Sequence, residues 1–359
     1  MNHCPLPARW LLTVLAACGL PGVAAALPQY ALARVVPLPG EGGWDYLALD
    51  AQDGRLFIAH GTRVEVIDTL HMRRVGQIAD TPGVHGIAIA RDLNRGFVSA
   101  GGSDAVVVFD LTSLARLAEI KVTGANPDAI LYEPATQRLF TFNGRGRNAT
   151  VIDARAGTVL GTVPLDAKPE FAAADGAGTV YVNLEDRNSL AAIDARALKV
   201  TAVWPLPGCE SPSGLAINRG AGELFSVCQN QVMVVTDAHD GAQRGRAPIG
   251  GGADAAAYDP GARLAFASCG EGLVTAVAVG AHGDAQAVQT IATQRGARTM
   301  ALDERTHRIY LVTADFGPAP PATAEHPHPR PAIVPDTFRL LVLNPHHEKF
   351  TTTAEGRSP

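Results

Sequence analysis

The sequence predicts an all-β fold, a seven-bladed β-propeller with four-stranded antiparallel blades, and three observations carry the prediction. The first is a period. An aromatic residue recurs at Phe57, Phe97, Phe140, Tyr181, Phe225, Phe266 and Tyr310, at spacings of 40, 43, 41, 44, 41 and 44 residues. The second is a run ending in Asp that keeps the same beat: Val66-Ile67-Asp68, Val108-Phe109-Asp110, Val151-Ile152-Asp153, Ala192-Ile193-Asp194 and Val234-Val235-Thr236-Asp237. It fades at Val277-Ala278-Val279 and returns late at Val342-Leu343-Asn344. The third is the content of one unit. From Thr81 to Asp110 the chain alternates short apolar runs (Ile87-Ala88-Ile89, Phe97-Val98-Ser99, Val106-Val107-Val108-Phe109) with Asp, Asn and Gly turn chemistry, and Leu117 to Val122 supplies a fourth strand. One such sheet cannot bury both of its apolar faces, but a ring of them can. A β-sandwich or simple barrel would not be expected to hold one spacing over seven units.

In chain order, residues 1–26 read as a signal peptide: Arg9 precedes the apolar run Trp10 to Ala17, and Ala24-Ala25-Ala26 offers a cleavage site. Leu15-Ala16-Ala17-Cys18 also resembles a lipobox, so lipidation at Cys18 is the alternative processing route. Either way the mature protein is expected to be exported, periplasmic or secreted, without a transmembrane helix. Tyr30 to Leu38 is a strand with no hairpin partner ahead of it. It aligns with the fourth strand of later units, such as Arg74 to Ala79, so it is expected to complete the last blade and close the ring. The propeller then spans 30–344, with an insert at 315–335 in blade seven and a polar tail from 345 to 359. A monomer is the expected state.

The net charge is −5, becoming −6 when Arg9 leaves with the signal, and aromatics make up only 6% of the chain. A mildly acidic chain without clustered aromatics argues against nucleic acid as a partner. After signal removal, Cys209, Cys228 and Cys269 remain in an oxidising compartment. Cys209 precedes the first strand of blade five and Cys228 ends the second. Because the start of one strand of an antiparallel hairpin lies beside the end of the other, a Cys209–Cys228 disulfide is expected. Cys269, one blade on from Cys228, is the alternative partner.

Tyr181-Val182-Asn183, Tyr310-Leu311-Val312-Thr313 and Phe97-Val98-Ser99 resemble the degenerate signature of YVTN-repeat propellers of the YncE-like group, bacterial exported proteins, over about residues 30 to 344. The resemblance implies the fold strongly and an activity weakly; some relatives in that group are associated with single-stranded DNA, which the composition here disfavours.

The residue just before each inner strand gives the candidate site. These are Asp45, His85, Asp128, Glu170, Ser213, Asp254 and Arg298, at spacings of 40, 43, 42, 43, 41 and 44. The first strand of each blade lines the channel of a propeller, so all seven should encircle one mouth. Converging charges cost free energy unless a ligand or ion compensates them, although wet channel mouths tolerate polar residues and Asp or Ser can cap strand amides. The ends of the second strands should add His60, Asn143 with Arg145, and Glu185. The insert, DFGPAPPATAEHPHPRPAIVP, emerges at the same face and offers His326, His328 and Arg330.

Histidine among carboxylates suits a divalent metal, for which Asp45, His60 and His85 are the candidate ligands; carboxylates with Asn suit Ca²⁺. A small polar molecule could instead place an anionic group on Arg298 and donors on Asp128 or Glu170. The sequence therefore reads as a propeller binding a small ligand, an ion or a protein partner at the channel mouth. The alternatives are a metal-dependent lactone or ester hydrolase, with Asp128 or Glu170 as general base, and an interaction scaffold. There is no nucleophile elbow, P-loop or dinucleotide fingerprint.

Overall fold

A computed structural model describes residues 27–321 and 331–346, together with Met1. It contains seven four-stranded antiparallel sheets arranged as a propeller. The inner strands of blades one to seven are Trp44–Asp50, Val84–Ala90, Pro127–Glu133, Pro169–Ala174, Pro212–Asn218, Ala253–Asp259 and Met300–Asp303. Each of the first six sheets is one continuous meander. Blade seven is composite: Met300–Asp303, Arg308–Thr313 and Arg339–His346 are joined at the outer edge by Gln29–Pro37 from the other end of the chain.

The recurring Asp has a local cause. Asp68, Asp110, Asp153, Asp194 and Asp237 each end a third strand, and their carboxylates accept backbone N–H bonds at 2.7–3.2 Å from the turn that follows. Such an Asx-type turn needs a short acceptor at its first position. The turn delivers the chain into the outer strand, where every blade carries the same irregularity. The register skips one residue in each fourth strand: Val75, Leu117, Leu160, Thr201, Arg244 and Val288. The N-terminal strand skips Ala33 in the same way, which marks it as a true fourth strand. A bulge on an exposed edge discourages pairing with other chains.

The recurring aromatic has a packing cause. Phe57, Phe97, Phe140, Phe225, Phe266 and Tyr310 are essentially fully buried, and Tyr181 nearly so. They fill the spaces between neighbouring sheets; Phe57, for example, lies with Val84, Val98 and Val107 of blade two. Burying such a side chain contributes roughly 1.5–3 kcal/mol, so the seven together are a large part of what holds the ring. The closure has polar anchors too. The Tyr30 backbone exchanges two hydrogen bonds with the Gln289 side chain of blade six, at 2.8 and 2.7 Å, and its ring sits edge-on to Phe266 at 5.0 Å.

Cys209 and Cys228 form a disulfide, as the hairpin geometry predicts, and Cys269 is free and buried. No helix among the described residues is long and apolar enough to cross a membrane. Residues 2–26, where a signal peptide and Cys18 processing were expected, together with His326, His328, Arg330 and the tail beyond His346, lie outside the described residues.

Candidate functional site

In the first six blades the pairing of inner with second strand breaks at the residue identified from the sequence. The register jumps between Trp44 and Leu47, Val84 and Ile87, Pro127 and Ile130, Pro169 and Ala172, Pro212 and Leu215, and Ala253 and Ala255. Asp45, His85, Asp128, Glu170, Ser213 and Asp254 therefore sit at irregularities, where a strand can re-aim a side chain. In blade seven Arg298 precedes an inner strand that begins later, at Met300.

The seven residues divide into two halves. Blades five to seven compensate themselves: Arg298 Nε lies 2.8 Å from Asp254 Oδ2, Ser213 Oγ donates to Asp254 Oδ1 at 3.0 Å, and Arg298 Nη2 donates to the Trp44 carbonyl at 3.2 Å. Blades one to four do not. His85 Nδ1 lies 2.7 Å from Asp45 Oδ2 and 3.8 Å from Asp128 Oδ1, and all three residues offer ligand atoms within 4.8 Å of one another. Glu170 completes this half and takes Lys168 Nζ at 2.6 Å, but the same ammonium also holds Glu185.

The electrostatics follow from this crowding. Burial raises the Asp128 carboxyl to about 6; the nearby His85 opposes that rise and the Asp45 charge adds to it. Glu170 is pushed up to about 8, again first by burial, with Lys168 opposing and Asp128 reinforcing. Burial would lower His85, yet its bond to Asp45 and the charges of Asp128, Asp45 and Glu170 raise it overall. An anionic cluster that holds protons this firmly would favour a cation in their place.

One residue further along each inner strand, two blades carry aromatics where the others carry Gly, Ala or Thr. Tyr46 of blade one and Phe171 of blade four stack on each other with ring centroids 4.3 Å apart, so inner strands from opposite sides of the ring meet next to the charged residues. The Tyr46 hydroxyl is buried and has no hydrogen-bond partner among the described residues. Burial, then the fields of Asp128, Glu170, Asp45 and Asp254, raise its pKa well above the ordinary phenol value.

Other sequence candidates lie elsewhere. His60 is fully buried: it stacks on Phe338 at 3.9 Å, has Arg63 at 3.4 Å from Nδ1, and is held near pKa 4 by burial and then by the Arg63 charge. It packs where blade one meets blade seven and is not part of the Asp45–His85–Asp128 group. Asn143 is also buried, donating to Asn148 at 2.7 Å and Thr150 at 3.0 Å within its own blade. The sequence reading missed Lys168, Tyr46, Phe171 and a set of pins. Asn183 Nδ2 donates at 3.0 Å to the carbonyls of both Ser213 and Gly214, while Ser99 and Ser268 reach the carbonyls of Asp128 and Arg298. Ser99 and Asn183 are the third residues of the runs Phe97-Val98-Ser99 and Tyr181-Val182-Asn183, so the signature places a polar anchor under the next blade's mouth residue.

Comparison with protein-family models gives no match to this chain, and neither does comparison with curated protein sequences. Solved structures do match. A chain of the mitotic checkpoint complex aligns with a TM-score of 0.72 at 14% identity, over 96% of this chain and 100% of that one. The WD40 repeats of RRP9 align at 0.72 and 12%, covering 89% and 99%. A chain of hydrazine synthase from Kuenenia stuttgartiensis aligns at 0.65 and 17%, covering 76% and 94%. At these identities the likeness shows the fold, a seven-bladed propeller resembling WD40-type structures, and nothing finer.

Proposed function

We propose that this chain is an exported propeller of the YncE-like group that binds a divalent cation at the channel mouth through Asp45, His85 and Asp128. The observation that carries the reading is the convergence of these three groups, from three successive blades, within 4.8 Å. One imidazole and two carboxylates form a mixed donor set suited to a first-row transition dication. The elevated pKa values of Asp128 and Glu170 support it, because a dication would repay the free energy of ionising them. So does the unpartnered Tyr46 hydroxyl, placed in the field of the same carboxylates. His85 would bind through an imidazole nitrogen once deprotonated, next to the Tyr46–Phe171 stack.

A hydrolytic role is the second reading, favoured by one observation. Glu170, raised to about 8, holds its proton near neutral pH, and a dication at the mouth that favoured its ionised form would leave a carboxylate able to serve as general base for hydrolysis. A scaffold role would leave the mouth without consequence. The deciding experiment is elemental analysis of the purified protein beside an Asp45→Ala/His85→Ala variant, with thermal shifts in Zn²⁺, Mn²⁺ and Ca²⁺. About one metal per chain in the wild type, absent from the variant, is expected. No metal and no shift with any dication would overturn the reading.

A further inference from the structure

Beside the mouth, between the end of the insert and the start of blade one, lies a second recess of about 380 Å³. Its wall includes the side chains of Trp44, Phe316 and Ile333, and its charged lining residues are two arginines, Arg295 and Arg298. We infer that this recess binds a small organic anion, a carboxylate carried on an apolar body, separately from the cation centre.

The charges decide the sign. Arg298 is already engaged by Asp254 and by the Trp44 carbonyl. Asp315, the acidic residue of the adjoining insert root, is held by Arg339 at 2.6 Å and accepts from Gln294 at 2.9 Å. Arg295 is exposed, stands 5.9 Å from the centre of the Phe316 ring, and has no carboxylate partner among the described residues. A guanidinium laid along an aromatic face keeps its fork for a planar anion. One uncommitted guanidinium over an apolar floor matches a monoanion with a hydrophobic body, and the volume lies in the range of small-molecule sites.

The recess is preformed. The insert root is a small ladder in which Phe316 pairs with Ile333, Gly317 donates to Ala332 at 2.9 Å and Val334 donates to Asp315 at 2.8 Å. The Arg295 carbonyl is fixed by Thr313 Oγ1 at 2.7 Å. Gly296 has φ +83°, and a Cβ there would meet Phe316 at 2.6 Å, so only glycine lets the ring lie against this backbone. Gly43 lines the same recess and differs: a Cβ at this position would meet nothing within 4 Å. A side chain at 43 can therefore fill the recess without disturbing the wall.

The test is calorimetric titration of the full chain in EDTA with benzoate, 2-naphthoate and octanoate, against 2-naphthamide and inorganic phosphate. At least one carboxylate is expected to bind saturably, with the neutral amide at least tenfold weaker. Arg295→Gln should weaken the carboxylate at least tenfold, and Gly43→Leu should abolish binding at an unchanged melting temperature. His85→Ala should bind it as the wild type does, which separates this pocket from the cation centre. The inference is overturned if no carboxylate gives a saturable isotherm, if phosphate binds instead, or if Gly43→Leu binds as well as the wild type.

Discussion

Asp128→Asn tests the charge argument because it is expected to move stability and metal response in opposite directions. The Asp128 carboxyl titrates at about 6 in the folded chain against an ordinary 3.8. A folded-state pKa above the unfolded one means that the protonated form is favoured by the fold. The associated stability is fully present below 3.8 and is lost as pH rises through 6. At about pH 8 the ionised carboxylate then costs about 3 kcal/mol, at about 1.4 kcal/mol per pKa unit. Asparagine has the shape of the neutral acid and cannot ionise. Without metal the variant should therefore be more stable than the wild type by up to about 3 kcal/mol at pH 8, and by only about 1 kcal/mol at pH 4.5, where most of the folded wild type is protonated. At about 1.3 °C per kcal/mol for a chain of this length, the gain at pH 8 is about 4 °C in melting temperature.

Metal should narrow the gap. A dication at a hundred times its dissociation constant adds about 2.7 kcal/mol to the wild type, and loss of one carboxylate ligand should remove at least about 1.4 kcal/mol of that through a tenfold weaker site. Melting curves at both pH values, in EDTA and in excess Zn²⁺, read all of these quantities. If Asp128→Asn melts below the wild type in EDTA at pH 8, the carboxylate is not strained and the reasoning fails. Equal stabilisation of both proteins by metal would remove Asp128 from the ligand set.

Three further outcomes are expected. His60 titrates at about 4 in the fold against 6.5 outside it, so its contribution is present above 6.5 and lost as pH falls through 4; urea titrations should show about 3 kcal/mol of wild-type acid destabilisation that His60→Gln lacks. Replacing Cys209 and Cys228 together by alanine should cost about 3 kcal/mol, from a sequence separation of 19, and non-reducing peptide mapping should recover the linked pair from the wild type. In Gly214→Ala the new Cβ would meet backbone atoms Ala256 N and Asp254 O at 2.6 Å, so the variant should lose about 1–3 kcal/mol and displace Asp254; an unaltered melting temperature would contradict that close approach.

The fold was legible because two physical requirements recur once per blade and leave residues that can be read. Each inter-sheet space needs a large side chain at one place, hence the aromatic from Phe57 to Tyr310. Each turn into an outer strand needs a short acceptor, hence the Asp from Asp68 to Asp237. Even the closing strand could be placed, since Tyr30 to Leu38 had no partner ahead of it. The fourth-strand bulges left no uniform residue signal: Val75, Leu117, Leu160 and Val288 are aliphatic but Thr201 and Arg244 are not, because what all six share is the absence of a partner.

The clustering of the candidate site was legible for three of its residues and less so for the rest. Equivalence along the chain put Asp45, His85 and Asp128 on one rim, but strand ends were assumed to point to the rim as well, and His60 and Asn143 do not. A β-strand side chain faces one side or the other, and a register break of one residue decides which. His60 pairs across the ladder with Trp44, next to Asp45, yet its ring packs on Phe338. Lys168, Tyr46 and Phe171 were hidden for a different reason: each acts through residues of another strand or blade, Lys168 by bridging Glu170 and Glu185, and the two aromatics by meeting from opposite sides of the ring. Compensation of that kind belongs to the closed ring. The same closure explains why blades one to four are left with an excess of acid while blades five to seven are neutral: Arg298, the single arginine in the series, reaches Asp254 and the backbone of blade one and does not reach the opposite arc, where His85 and Lys168 face four carboxylates.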